Sequence, residues 1–304
     1  MIFEGQRCLY MVTADSFRFL RARSLVLGLF GFGLFFGLLL DVLEAVRVLP
    51  LQPDDPILAP ALYTLTFVSL CGWIVRRCRS RRLRLRYLMG TLPSGYPWRH
   101  LLGLMAAVFI FSLAAFQLSY YGLSWIMPSL VESTLQKPLL LSAADTAAPG
   151  LYNGLTLFSV LLVAPVTEEF LFRGILLHRW GSKWGIGPAV VLTSVLFGLL
   201  HMNLVGLFVF GLVLALLYLH SRTLWVPILA HALNNAIASS LELATSPTRT
   251  TVAMTTLEEF RAGWWLALLL LLLSAPWVGR YIYRSWPRQH TQLPYFANRQ
   301  QREG

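Results

Sequence analysis

Long apolar runs recur along the chain, most of them bounded by basic or loop-forming residues. A membrane-crossing helix needs about 20 mostly apolar residues. Eight stretches answer to that pattern, at roughly 24–46, 56–75, 101–127, 153–178, 187–202, 204–220, 223–242 and 263–282. The fifth and sixth are short and separated only by Met202 and Asn203. The pattern predicts an all-α fold: a polytopic transmembrane helix bundle of about eight spans. The segment 128–150, with Pro128, Pro138 and Pro149, reads as a loop carrying a surface helix. No internal repeat is evident, which weighs against a transporter built from duplicated halves.

Composition sharpens the class. Of 304 residues, 56% are hydrophobic and only 13% charged, with a mean hydropathy of +0.61. Soluble domains carry about 25% charged residues. The net charge of +11 raises the question of nucleic acid, but the arginines cluster at the ends of apolar runs, as lipid-headgroup anchors do. With both termini cytoplasmic, 20 Lys or Arg fall in segments 1–23, 76–100, 179–186, 221–222 and the C-terminal tail. Only Arg47, Lys137, Arg249 and Arg261 fall outside, and Arg173 lies within a span. That asymmetry obeys the positive-inside rule at every alternation. The run Arg76–Arg86 is expected to contact anionic headgroups; no nucleic-acid partner is expected. Cys8, Cys71 and Cys78 show neither zinc spacing nor a disulfide framework, and residues 1–23 read as a cytoplasmic amphipathic lead-in.

Ionisable groups inside a span are costly, so each carries a functional hypothesis. The fourth span holds Glu168, Glu169 and Arg173 among Leu, Val and Phe. Glu169 and Arg173, four residues apart, share a helix face and can pair, whereas Glu168 points about 100° away. The fifth span ends at His201, one turn after Phe197. The seventh places His231 and Asn235 on one face, with Asn234 turned away. Counted from the presumed cytoplasmic ends, Glu168, His231, Asn235 and His201 lie about 16, 14, 20 and 21 Å deep. Three helices of alternating direction thus bring polar groups to one layer. Glu258-Glu259-Phe260-Arg261 repeats some of these letters with the wrong spacing and reads as a solvated charge cluster at a helix start.

These residues resemble the type II CAAX prenyl endopeptidases and their bacterial relatives (the CPBP family), including lysostaphin-resistance-like membrane proteins, often called glutamic intramembrane proteases. The family pattern is EExxxR, FxxxH and HxxxN on successive helices. Here it reads Glu168-Glu169-x-x-x-Arg173, Phe197-x-x-x-His201 and His231-x-x-x-Asn235. The stretch GLVLALLYLHSRTLWVPILAHALNN is also similar to the helix-turn-helix that leads into the last motif. The resemblance covers roughly 150–245. It divides the chain into an N-terminal membrane region (1–150, about three spans, basic loop 76–100), a protease-like catalytic domain (151–245), and a last span with a basic cytoplasmic tail (246–304).

The resemblance implies an intramembrane endopeptidase acting on a membrane-associated or lipidated protein, without a cofactor or metal. Glu168 would activate water, His201 would position that water or move its proton, and His231 and Asn235 would stabilise the oxyanion. Glu169, Arg173 and Phe197 would support the site or bind the substrate backbone. Water would enter a polar cavity from the cytoplasmic side. A multi-pass protein of a bacterial inner or plasma membrane is expected. Three alternatives stay open: a zinc-dependent membrane protease, since two histidines and a glutamate can hold zinc; a proton-coupled transporter; and a catalytically silent membrane scaffold.

Overall fold

The computed structural model describes residues 17–46, 55–136, 139–141, 145–146, 148–245 and 256–303, and every regular element among them is helical. Cys8, Arg47, Lys137, Arg249 and the first 16 residues of the lead-in lie outside the described residues. The first half supplies α1 (Ala22–Ala45), α2 (Leu58–Ser80), the short α3 (Leu85–Met89), α4 (Trp98–Ile126) and the surface helix α5 (Pro128–Leu135). The second half supplies α6 (Pro149–Trp184), α7 (Ile186–Leu199), α8 (Leu204–Ser221), α9 (Trp225–Thr245), α10 (Leu257–Ala262), α11 (Trp264–Ser285) and α12 (Pro294–Glu303).

Among the described residues, six helices (α1, α2, α4, α6, α8 and α11) are long and apolar enough to cross a membrane. The other two expected spans are helical but of a different kind. α7 has 14 residues, about 21 Å against a hydrocarbon core of ~30 Å. It stops short of a full crossing. α9 has 21 residues, enough length, but His231, Asn234 and Asn235 dilute its hydropathy. The turn joining α7 to α8 is satisfied internally, as irregular backbone at membrane depth must be. His201 N–H donates to the Gly198 carbonyl at 3.1 Å, and Tyr120 Oη to the Met202 carbonyl at 3.2 Å. Asn203 caps α8 by accepting from Gly206 N–H at 3.1 Å, while its amide donates to Ser112 of α4.

The core lies around α8, buried from Phe210 to Leu219, and the second half of α6, buried from Phe170 to His178. α1 buries only Leu25 and rests against α2. Leu27 and Phe30 on it are each 71% exposed, as is Leu272 of α11 at 63%; faces this apolar belong in lipid.

The end of the bundle that carries the arginine run is closed by side-chain bonds to backbone. Tyr218 donates to the Leu88 carbonyl, Thr223 Oγ1 to that of Met89, and Asn298 Nδ2 to those of Tyr87 and Arg222. Gly90 sits there at φ 65°, and a Cβ would collide with the Arg222 carbonyl and Thr223. The tail folds back as α12, its Tyr295 N–H donating to His178 Nε2 at 3.1 Å. The Glu258–Arg261 cluster begins α10 behind a capping box from Thr256 and Glu259. Arg261 donates to Ser124 and lies 4.0 Å from the Trp125 ring.

Candidate active site

The helix bearing EExxxR is not regular. α6 widens to i→i+5 bonding over Ser159–Val163 and again over Phe170–Leu176, with the α-helical turn Ala164–Glu169 between. Pro165 accounts for the first widening. Ala164 N–H reaches the Ser159 carbonyl, and the next donor in that register would be Pro165, which has none. Asn235 Nδ2 of α9 donates to the Val160 carbonyl instead, at 2.8 Å. In the second widening, Leu177 N–H reaches the Phe172 carbonyl, and His178 Nδ1 lies 3.1 Å from the Arg173 carbonyl. Such π-segments are frequent at functional sites. The turn between them presents Glu168 and Glu169.

Glu169 is sealed inside the bundle. Its Oε1 accepts from Arg173 at 2.8 Å and lies 3.0 Å from His231 Nδ1. Glu169 and Arg173 are both fully buried, where each charge requires the other as a close partner. Arg173 also donates to the Gly211 carbonyl at 3.0 Å and lies 4.7 Å from the Phe197 ring. Phe197 in turn packs against both histidines, with ring centroids 4.7 Å from His201 and 5.9 Å from His231. Neither Glu169 nor Arg173 is among the residues that line the cavity faced by Glu168. Their geometry fits orientation of His231.

Glu168 turns the other way, as its 100° offset requires. Tyr63 Oη of α2 donates to its Oε1 at 2.7 Å, while Oε2 is buried and has no hydrogen-bond partner among the described residues. Glu168 lines a cavity of about 400 Å³ with Tyr63, Phe197, His201, His231, Asn234 and Asn235. All four residues expected to act chemically therefore meet at one space, from α6, the α7–α8 turn and α9. His201 Nδ1 donates to the Phe197 carbonyl at 2.7 Å; a carbonyl only accepts, so the neutral ring keeps a lone pair on Nε2. Among the described residues no three His, Cys, Asp or Glu side chains are grouped to hold a metal.

Two features escape sequence reasoning. Tyr63 is the partner that Glu168 lacks on its own helix; a tyrosine amid the apolar run of α2 is the available signal, because a buried Oη normally finds an acceptor. The cavity also runs in the unexpected direction. Beyond Glu168 it is lined by Ala59, Pro60, Thr156 and Ser159, all toward the helix ends remote from Arg76–Arg86. On the arginine side, Phe170–His178 and Phe210–Leu219 are packed solid. The expected entry from the basic end is thereby corrected: hydropathy marks which segments are apolar, not which end of the bundle they fill.

The family model described as Type II CAAX prenyl endopeptidase Rce1-like matches residues 150–237. The Bacillus subtilis protein named "Putative membrane peptidase YdiL" is 33% identical over 85 residues, 27% of this chain and 35% of that protein. An Escherichia coli "Uncharacterized 24.3 kDa protein" is 31% identical over 177 residues, 55% of this chain and 73% of that one. The chain thus spans about a third of the first relative and nearly three quarters of the second. No solved structure matches. A relative matched along most of its own length, and a family model seated on the helices that build the cavity, lead to one conclusion: this multi-pass membrane protein belongs to the type II CAAX prenyl endopeptidase Rce1-like family.

Proposed function

We propose that the protein is a metal-independent endopeptidase that cleaves a membrane-associated or lipidated protein within the bilayer, using Glu168 to activate water. The observation that carries the reading is the unpartnered Oε2 of Glu168, beside a cavity shared with two histidines and an asparagine amide. Tyr63 fixes one carboxylate oxygen and leaves the other to accept a proton. Water held between Glu168 and Nε2 of His201 would lose its proton to Glu168 as its oxygen attacks the scissile carbonyl. The negative charge would then develop on that carbonyl oxygen. Asn235 spends one N–H on Val160 and has another to donate. His231 directs Nδ1–H at Glu169, so its Nε2 donates to an oxyanion only when the ring is protonated, a charge that Glu169 offsets. Collapse breaks the C–N bond as protonated Glu168 returns its proton to the leaving nitrogen.

The ligand set supports metal independence: Glu169 is committed to Arg173, whose cation would repel a metal ion nearby. The bacterial relatives support a bacterial inner or plasma membrane, and the positive-inside rule would put the arginine end in the cytoplasm. The cavity would then face the opposite side, and substrates would present their cleavage point there. Membrane proteomes of cells expressing wild type or Glu168→Ala test this. Shortened membrane peptides present only with wild type, and persisting under a strong chelator, are expected. Identical proteomes would count against the peptidase, and chelator-sensitive cleavage restored by zinc against the metal-free mechanism.

A further inference from the structure

A second, larger cavity lies between α4, α8 and α11 at the arginine end. It encloses about 1040 Å³ and shares no lining residue with the catalytic cavity. Between the two, α8 is solid: Leu212 to Leu216 are buried. Its mouth carries Arg99, Arg280 and Arg284, and no acidic side chain lines it among the described residues. Among the described residues none of these three arginines has an ion-pair or hydrogen-bond partner. Below the mouth the walls turn apolar, through Ala107, Ile110 and Leu273. The groove stays open beside Gly103, where a Cβ would meet nothing within 4 Å. From Arg99 to Ile110 is about 16 Å along α4, close to half of a ~30 Å hydrocarbon core. His220 of α8, 3.3 Å from the Ser285 carbonyl, fixes the floor of the mouth.

We propose that this groove is a binding site for one anionic phospholipid of the leaflet at the arginine end. Three unpaired guanidiniums set at headgroup level match a phosphate, which they can hold through two or more N–H donors at once. The apolar channel, one leaflet deep, matches an acyl chain. A free phosphate would leave that channel unfilled, and a zwitterionic lipid would bring a cation to a mouth that has no carboxylate. The site stands apart from the proteolytic reading and does not depend on it.

Trp277 lines this groove and provides the probe. The full chain is reconstituted in phosphatidylcholine vesicles doped with dibrominated phosphatidylglycerol or dibrominated phosphatidylcholine. The quenching assigned to Trp277 is the difference between wild type and Trp277→Phe. Half-quenching is expected at an about hundredfold lower mole fraction of the anionic lipid, the order expected when three arginines sit at headgroup level. The preference should disappear in R99Q/R280Q/R284Q and persist in R99K/R280K/R284K, which keeps the charge. Gly103→Leu, which fills the channel and leaves every arginine in place, should also weaken quenching by the anionic lipid. Equal quenching by both headgroups would overturn the proposal, as would a preference that survives the glutamine substitutions. Unchanged quenching in Gly103→Leu would mean that lipid merely coats the outer surface, and displacement by inorganic phosphate would assign a free-anion site instead.

Discussion

Replacing Glu169 by glutamine isolates what the buried pair does. The amide keeps the side chain's shape and one acceptor, but Arg173 is left charged with 0% of its surface exposed. Its remaining hydrogen-bond acceptor among the described residues is the Gly211 carbonyl at 3.0 Å. Removing one member of a buried ion pair costs about 3–5 kcal/mol, which for a chain of this size lowers the melting temperature by roughly 5–8 °C. The double variant Glu169→Leu/Arg173→Met removes both charges and fills the volume, and such exchanges are often neutral or stabilising. It should melt within a few degrees of wild type and still be inactive, because His231 loses the acceptor at its Nδ1. Thermal unfolding in a mild detergent, followed by intrinsic fluorescence, reads stability; peptide cleavage reads the site. A Glu169→Gln protein as stable as wild type would refute the reasoning. So would a double variant that keeps full activity, since the pair would then orient nothing.

Three other outcomes follow from single contacts. Asn235→Leu strips the Val160 carbonyl of its donor and should cost about 1–3 kcal/mol; adding Pro165→Ala, which restores a backbone N–H, should recover part of that in the same melt. Tyr63→Phe keeps the ring and removes the 2.7 Å hydrogen bond to Glu168. It should lower the cleavage rate by about 10-fold or more, the scale of a lost hydrogen bond to a charged group. At the tail, hydrogen bonds from Arg299 and Tyr87 hold the Glu303 carboxyl below its usual range. A carboxyl depressed on folding stabilises the docked state above its ordinary range and ceases to do so as pH falls through the depressed value. Protection of α12 amides against hydrogen exchange, relative to their intrinsic rates, should therefore fall selectively in acid, and Glu303→Gln should remove that dependence; an identical acid response in the variant would discount the contact.

Much of this arrangement can be read from residue order because the bilayer makes strong demands. Apolar length selects helices, and the cost of an ionisable group in a span singles out Glu168, Glu169, Arg173, His201 and His231 before any coordinates. Helical periodicity alone separates Glu168 from its neighbour and pairs Glu169 with Arg173. What stays hidden depends on contacts between distant segments. Tyr63 meets Glu168 across 105 residues, and Asn235 serves a carbonyl freed by a proline 70 positions earlier. Residues 170–176 depart from 3.6-residue periodicity, which no apolar pattern announces. The early end of α7 hides behind an apolar run that continues into Leu200 and Met202. The return of α12 onto α3 is set by polar contacts such as Asn298 with Tyr87 and Arg222, for which hydropathy has no signal.

The most direct test of Glu168 as the water-activating base is the single-turnover cleavage rate of purified wild type and Glu168→Gln on one peptide found in the proteome comparison. Chelator is present throughout, and the melting curves serve as the control for folding. Losing a general base should slow the reaction by about 10²–10⁴-fold, with folding preserved and binding of the peptide little changed. A Glu168→Gln protein that cleaves within a few-fold of wild type would contradict the account, whatever the other residues do.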